Sequence, residues 1–355
     1  MHPRLIDLLI PYNSISIIGM SKNAGKTTVL NKILAECHAR GIRVGITSIG
    51  RDGEDVDIVT GTDKPKIFVS KGTFIATAAQ LLAKSDITKE IMRTTQINTP
   101  MGEVVVVRAR SDGYVQIGGP SIGSQIVSLI EKFRELGADK VFVDGAISRK
   151  TLGGPATCEA AILSTGASFS SDMNKVVNET AFVAKLLTCE PLKDERTREV
   201  ITTLAESTEK FVAIMPDCSV REMNLDGLAD AAEGASHIYV SGALSDGLAN
   251  KLIMSNTNLR GVKIVVEDGS KLFVTESTFE KFGIKGAKIA VMRPTNLLAI
   301  TMNPVSAGGY VFDKNAFREA LSAKVAVPVY DVVAETELDR FARRTTMEGA
   351  HNGIE

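Results

Sequence analysis

Tryptophan is absent from these 355 residues, and aromatic side chains make up only 5% of them. A surface that stacks successive bases depends on such rings, so their scarcity argues against single-strand nucleic-acid binding. The formal net charge is −1 at pH 7. No basic excess exists to attract nucleic acid or an anionic membrane. Long apolar runs are also missing: Val104-Val105-Val106-Val107 is strand-length, far short of a membrane span. The opening residues, Met1-His2-Pro3-Arg4-Leu5-Ile6, lack a basic region followed by an apolar core and a cleavage site. A cytoplasmic location is the expectation. Cys37, Cys158, Cys189 and Cys218 stand apart, with neither CxxC nor zinc-finger spacing. They read as buried, reduced thiols. Histidine is equally sparse, and His2 and His351 lie near the ends, which disfavours a histidine-built metal centre.

What remains is an ordinary folded composition, 44% hydrophobic and 23% charged. Strand-like and helix-like segments alternate, which predicts an α/β fold with a mostly parallel sheet covered on both faces. Candidate strands are Arg43–Ile49, Ile67–Val69, Lys140–Val143 and Ala160–Leu163, with a helix around Thr73–Ala83. Glu103–Ala109 and Tyr114–Ile117, parted by Asp112-Gly113, read as an antiparallel excursion. Ile126, Leu129, Ile130 and Phe133 mark an amphipathic helix ended by Gly137. Residues 172–210 read as a helical connector. Strand signals then resume at Phe211–Met215, Ile238–Val240, Val262–Val266, Ile289–Met292 and Leu297–Met302, and the charged tail after Glu335 reads as helical. Two lobes follow, 1–200 and 201–355, with a break near 195–210.

The chemistry concentrates between Ile15 and Thr28. An apolar β-rich run ends at Gly19, a polar loop Met20-Ser21-Lys22-Asn23-Ala24 follows, and Gly25-Lys26-Thr27-Thr28 opens a helix. That order is what a phosphate-binding loop requires. Gly25 lets the backbone approach an oxyanion. The first N–H groups of the helix lack partners within it and point at the phosphates, aided by the helix dipole. Lys26 would reach the β- and γ-phosphates, and the Thr27 hydroxyl would hold Mg²⁺. Ser21, Lys22, Asn23, Ala24, Gly25, Lys26, Thr27 and Thr28 are the expected nucleotide-binding residues. Five residues separate Gly19 from Gly25, where the usual pattern has four, and Met20 occupies the place of the first glycine. This is the spacing of dethiobiotin synthetase-like P-loop proteins. Lys22 lies four residues before Lys26. The second lysine of MinD-type loops lies five before, so that role is not given to it.

Val141-Phe142-Val143 is an apolar strand ending in Asp144, which suits the second metal-binding carboxylate of a nucleotide site. Asp144 would lie beside the phosphate loop at the carboxyl edge of the sheet. The acidic run Asp52-Gly53-Glu54-Asp55-Val56-Asp57 has two readings. Asp52 and Glu54 either contact Mg²⁺ or orient a water, or the run is a solvated loop. Gly118-Gly119-Pro120-Ser121-Ile122-Gly123-Ser124 is a second glycine-rich turn entering a helix. It is either an anion cradle or a helix start capped by Ser121 or Ser124. Arg149 and Lys150 are candidates to stabilise charge during phosphoryl transfer. Arg293–Asn296 and Asn303–Tyr310 flank an apolar strand and read as a partner or substrate surface. Asn174-Lys175-Val176-Val177 begins like a guanine-reading NKxD motif but lacks its Asp, which favours ATP over GTP.

Taken together, Gly19–Thr28, Asp52-Gly53-Glu54, Gly119–Ser124, Val143-Asp144-Gly145-Ala146 and the late run from Ala299 to Pro304 and on through Phe312-Asp313 resemble P-loop proteins encoded beside lysine fermentation enzymes. That family is described as the ATPase subunit of a reactivating factor for lysine 5,6-aminomutase, an enzyme dependent on adenosylcobalamin and pyridoxal phosphate. The resemblance covers nearly the whole chain, and the P-loop is its specific element. It implies a P-loop NTPase core similar to dethiobiotin synthetase, with a second α/β lobe. The motifs themselves predict ATP and Mg²⁺ as ligands and Lys26 and Asp144 as the catalytic pair; the resemblance implies nucleotide-driven remodelling of the damaged aminomutase with release of inactive cobalamin. A companion reactivase subunit would be required. Nucleotide-sandwich dimers are common among relatives of this P-loop class, so a homodimer is one expectation. Two other readings stay open: an ATP-dependent enzyme that activates a small carboxylate, as dethiobiotin synthetase does, and a non-catalytic nucleotide-binding scaffold.

Overall fold

A computed structural model describes residues 4–50, 66–146, 154–205, 211–224, 232–255 and 258–334. The chain forms two compact units, Met1–Ala181 with Leu297–Glu355, and Phe182–Asn296. This corrects the expected division into 1–200 and 201–355. The second unit is an insertion, and the chain from Leu297 returns to the first.

The first unit opens with α1 (Leu5–Leu9), β1 (Ser14–Gly19), α2 (Lys26–Ala39) and β2 (Val44–Ser48). It continues through β3 (Ile67–Val69), β4 (Phe74–Ala78), α3 (Ala79–Ala83), β5 (Lys89–Thr99), β6 (Gly102–Ala109) and β7 (Gly113–Val115). Then come α4 (Gly123–Glu135), β8 (Lys140–Ala146), β9 (Ala160–Gly166) and α5 (Met173–Leu187). The second unit holds α6 (Glu195–Ala205), β10 (Phe211–Ile214), β11 (Val220–Glu222), β12 (His237–Val240), β13 (Leu244–Ser245) and α7 (Asp246–Met254). After these come β14 (Lys263–Val266), β15 (Leu272–Phe273), α8 (Glu276–Ile284) and β16 (Lys288–Val291). The returning segment adds β17 (Leu297–Asn303), α9 (Lys314–Ser322) and β18 (Val329–Tyr330).

Among the described residues the main sheet has nine strands, in the order β18-β17-β9-β1-β8-β2-β4-β6-β5. From β18 to β4 the neighbours are parallel, and β6 and β5 add an antiparallel margin. The protein is therefore α/β with a large, mostly parallel mixed sheet. Its strands are apolar on both faces because helices cover both. On one face Val29, Ile33 and Cys37 of α2 pack with Ile15, Ile17 and Ile46. On the other, Ile126, Leu129 and Phe133 of α4 pack with Val141, Val143 and Ala76. Each fully buried Leu, Ile or Val contributes roughly 1.5–3 kcal/mol over its exposed state, so these two layers fix the sheet edge that carries the polar loops.

Two local expectations hold only in part. Phe74–Ala78 is a strand followed by a single short helix. Its alanines suit a helix, but all five residues are buried in the sheet and tertiary packing overrides propensity. The antiparallel hairpin joins β5 to β6. Tyr114 pairs instead with Phe68 across β3 and β7, where their rings meet edge-on at 5.3 Å.

The second unit has its own sheet, ordered β11-β10-β12-β14-β16, with β12, β14 and β16 parallel. Its core joins Phe182, Leu186, Ile238, Ile264, Leu252 and Phe282 on one face. Ile201, Tyr239, Val265 and Ala290 join on the other. Among the described residues no helix is long and apolar enough to cross a membrane.

Candidate phosphate-binding site

The sheet topology brings distant loops to one edge. β1 lies between β9 and β8, with Ile17 opposite Asp144 and Gly19 opposite both Ala146 and Ser164. β2 flanks β8 on the other side, with Ser48 opposite Asp144. Because these strands are parallel, their carboxyl ends and the loops that follow share one rim. The loop after β1 and the Asp144 turn are neighbours there, as the spacing predicts.

The loop itself is shaped by backbone conformation. Gly25 sits at φ 93°, ψ 6° immediately before α2, a left-handed geometry that a β-carbon makes costly. Asn23 is also left-handed, at φ 60°. Alternating backbone hands of this kind turn successive N–H groups inward, the concavity that holds anions. No side chain caps the first turn of α2. Its opening N–H groups and the positive end of its dipole face outward along the loop.

Lys26 folds back over the loop. A β-carbon on Gly19 would stand 2.9 Å from Lys26 Nζ and 2.8 Å from its Cδ, so the ammonium rests at the end of β1. Thr27 is half-buried, whereas Thr28 and Lys22 are exposed. Ser21 and Asp144 each carry an orphaned atom: Ser21 Oγ and Asp144 Oδ1 are buried and make no hydrogen bond. Burial raises the Asp144 carboxyl above the usual 3.8, opposed by the nearby Lys26 ammonium. Orphaned buried oxygens cost about 1–3 kcal/mol each, a cost that a bound cation or donor would relieve.

Residues not singled out as site residues in the sequence hold the loop in place. The Asn23 carbonyl accepts from Asn303 Nδ2 at 3.3 Å and from Ser168 Oγ at 3.2 Å. Asn303 also stands behind Gly25, whose hypothetical β-carbon would lie 3.2 Å from Asn303 Cβ. Asn303 ends β17, so the sequence reading of 303–310 as a partner surface misses this contact. Ser168 follows β9, and no pattern in its surroundings marked it.

The second glycine-rich turn also reaches this rim. The Gly119 N–H donates to Ser48 Oγ at 3.1 Å, and the Gly50 N–H donates to the Pro120 carbonyl at 2.9 Å. The residue preceding α4 is Ile122, and no side chain caps the helix. Capping by Ser121 or Ser124 is therefore corrected.

Asn174 and Lys175 lie exposed in the first turn of α5, where Asp172 Oδ1 accepts from both N–H groups. Asp52, Glu54, Arg149 and Lys150 fall outside the described residues, as does the tail after Glu335. Among the described residues no three acidic, histidine or cysteine side chains cluster as a metal site. Cys37, Cys158 and Cys189 are buried, and burial pushes the first two thiols up to about 12 and the third to about 11. Cys218 departs from expectation. It is only half-buried, at a left-handed φ of 67°.

No known protein family, curated protein or solved structure matches the chain.

Proposed function

We propose that this chain is a P-loop ATPase that couples ATP binding and hydrolysis to the state of a partner protein. One observation carries the reading: Lys26 lies back across Gly19 at the mouth of an uncapped helix, one strand from the orphaned Asp144 carboxylate. A lysine, an uncapped helix start and a carboxylate with one oxygen unpartnered among the described residues suit a triphosphate with its metal.

In this reading the N–H groups of the loop and of the first turn of α2 hold the phosphates. The Lys26 ammonium balances charge on the β- and γ-oxygens. Thr27 and Asp144 would hold Mg²⁺, which supplies further charge neutralisation when bound. Asp144 is the acid best placed among the described residues, because its free oxygen already lacks a partner. Asn303 and Ser168 keep the loop in its left-handed shape, so little reorganisation is needed on binding.

The resemblance to the reactivating ATPase supplies the partner: a cobalamin-dependent lysine aminomutase, acting with a companion subunit. ATP turnover should then be slow for the chain alone and faster when the aminomutase is added. Unchanged turnover with the aminomutase, together with acceleration by a small carboxylic acid, would overturn it. That outcome would favour the carboxylate-activating reading.

A further inference from the structure

The second unit has a cavity of its own. It is open and measures about 510 Å³, within the size range of small-molecule sites. It runs along β16, the last strand of the five-stranded sheet. Backbone pairing explains the opening. The Val291 N–H donates to the Glu190 carbonyl, and the Leu192 N–H donates to the Val291 carbonyl, so residues 190–192 close one end of that edge. The Lys288 N–H donates inward to Val262. Strand alternation then turns the N–H and C=O of Ile289 outward, to the side where Ile289 lines the cavity. Among the described residues neither group has a backbone partner, and such an edge is a ready donor and acceptor.

The floor is apolar, with Leu192, Phe282, Ala287 and Ala290 all buried. The rim is cationic: Lys185, Lys193, Lys263 and Lys288 outnumber Glu190 and Glu280. Lys185 Nζ lies 4.7 Å from the centre of the Phe279 ring, a cation held over an aromatic face. Lys263 and Lys288 are register partners at the starts of β14 and β16, so their stems leave the same face of the sheet. Like charges set side by side repel, and an anion between them relieves the repulsion.

We propose that this cavity binds a small organic anion, a carboxylate or phosphate carried on an apolar body. The anionic group sits between Lys263 and Lys288, the body covers Leu192 and Ala290 on that face of the sheet, and its far end turns over the β16 edge toward Phe279 and Phe282. The Ile289 backbone offers a hydrogen bond to a polar group between them. This site is independent of the phosphate loop.

The test is a fluorescence titration of the full chain with 8-anilinonaphthalene-1-sulfonate. Saturable binding at one site is expected, unchanged in Lys26→Ala and weakened about tenfold or more in the Lys263→Glu, Lys288→Glu pair. Lys288 is exposed, so Lys288→Glu alone should weaken the dye without shifting the melting temperature. Excess octanoate should displace the dye, while inorganic phosphate at equal ionic strength should not. Equal binding by the unaltered chain and both lysine variants, or non-saturable binding, overturns the site. Displacement by phosphate as readily as by octanoate overturns the apolar half of the proposal. Displacement by an acidic peptide but not by octanoate makes the open edge a peptide site and overturns the small-molecule assignment.

Discussion

Lys26 and Gly19 close the loop between them: a β-carbon on Gly19 would meet Lys26 Cδ at 2.8 Å and Nζ at 2.9 Å. The glycine is required there by what lies over it. Gly19→Ala should therefore push the lysine off its resting place without disturbing the sheet, because the clash is with a flexible side chain. ATP affinity should fall by about tenfold, or roughly 1.4 kcal/mol, with little change in the melting temperature. Isothermal titration calorimetry beside a thermal scan checks both. Unchanged affinity would mean that the resting position of Lys26 has no bearing on phosphate binding.

Lys26→Ala removes the charge itself. A nucleotide bound only by the folded state at a hundredfold excess over its Kd stabilises by about 2.7 kcal/mol. That stabilisation should appear as an ATP-dependent rise in the melting temperature of the unaltered chain and vanish in the variant. An equal rise in both would falsify the assignment of the loop.

Asp144→Asn separates stability from activity. The Oδ1 atom is buried without a partner, and burial outweighs Lys26 in shifting the carboxyl. A neutral amide of the same shape removes the cost of a buried charge, so the free protein should melt at the same or a higher temperature. On the proposed ATPase reading, ATP turnover should drop by about a hundredfold or more. A clear loss of stability in the variant would show that Asp144 is held by the fold for structural reasons.

The parts of the site that were legible in the sequence are those built locally. A strand, a loop and a helix over Ser14–Ala39, and a strand carrying Asp144, follow from apolar runs and glycine placement alone. The parts that were not legible depend on topology. Asn303 reaches Asn23 across 280 residues of sequence, and only the return of β17 to the first sheet puts them together. The insertion was masked because α5 and α6 both read as one amphipathic connector, although the unit boundary falls inside α5 at Ala181. Nothing in helical periodicity marks where a helix leaves one core for another.

Asn303→Ala, alone and with Ser168→Ala, tests that topological contribution. Each side chain makes one hydrogen bond to the Asn23 carbonyl, worth about 1 kcal/mol net. Global stability should fall by about that amount per substitution, because the bonds are partly exposed and water replaces them. ATP affinity should fall further in the double variant, since Asn23 loses both restraints on its left-handed backbone. Stability and affinity falling in strict proportion would reduce both residues to general packing.

His237 gives the second unit a pH dependence of its own. It is 6% exposed at the start of β12, its Nδ1 lies 2.9 Å from Ser236 Oγ, and its Nε2 is buried without a partner. Burial lowers its pKa below the ordinary 6.5, Lys263 lowers it further, and Asp194 acts in the opposite direction. The unfolded chain therefore takes up a proton that the folded chain refuses. Stability is fully present above 6.5 and is lost as pH falls from there toward the lower folded-state pKa. Asp139, Asp194, Asp217 and Asp246 are all held below their usual 3.8, so their losses begin only in more acidic solution. Urea midpoints measured from pH 7.5 to 5 should decline more steeply for the unaltered chain than for His237→Gln, since the raised Asp144 carboxyl titrates alike in both. A decline of equal slope in the variant would assign the acid sensitivity to other groups.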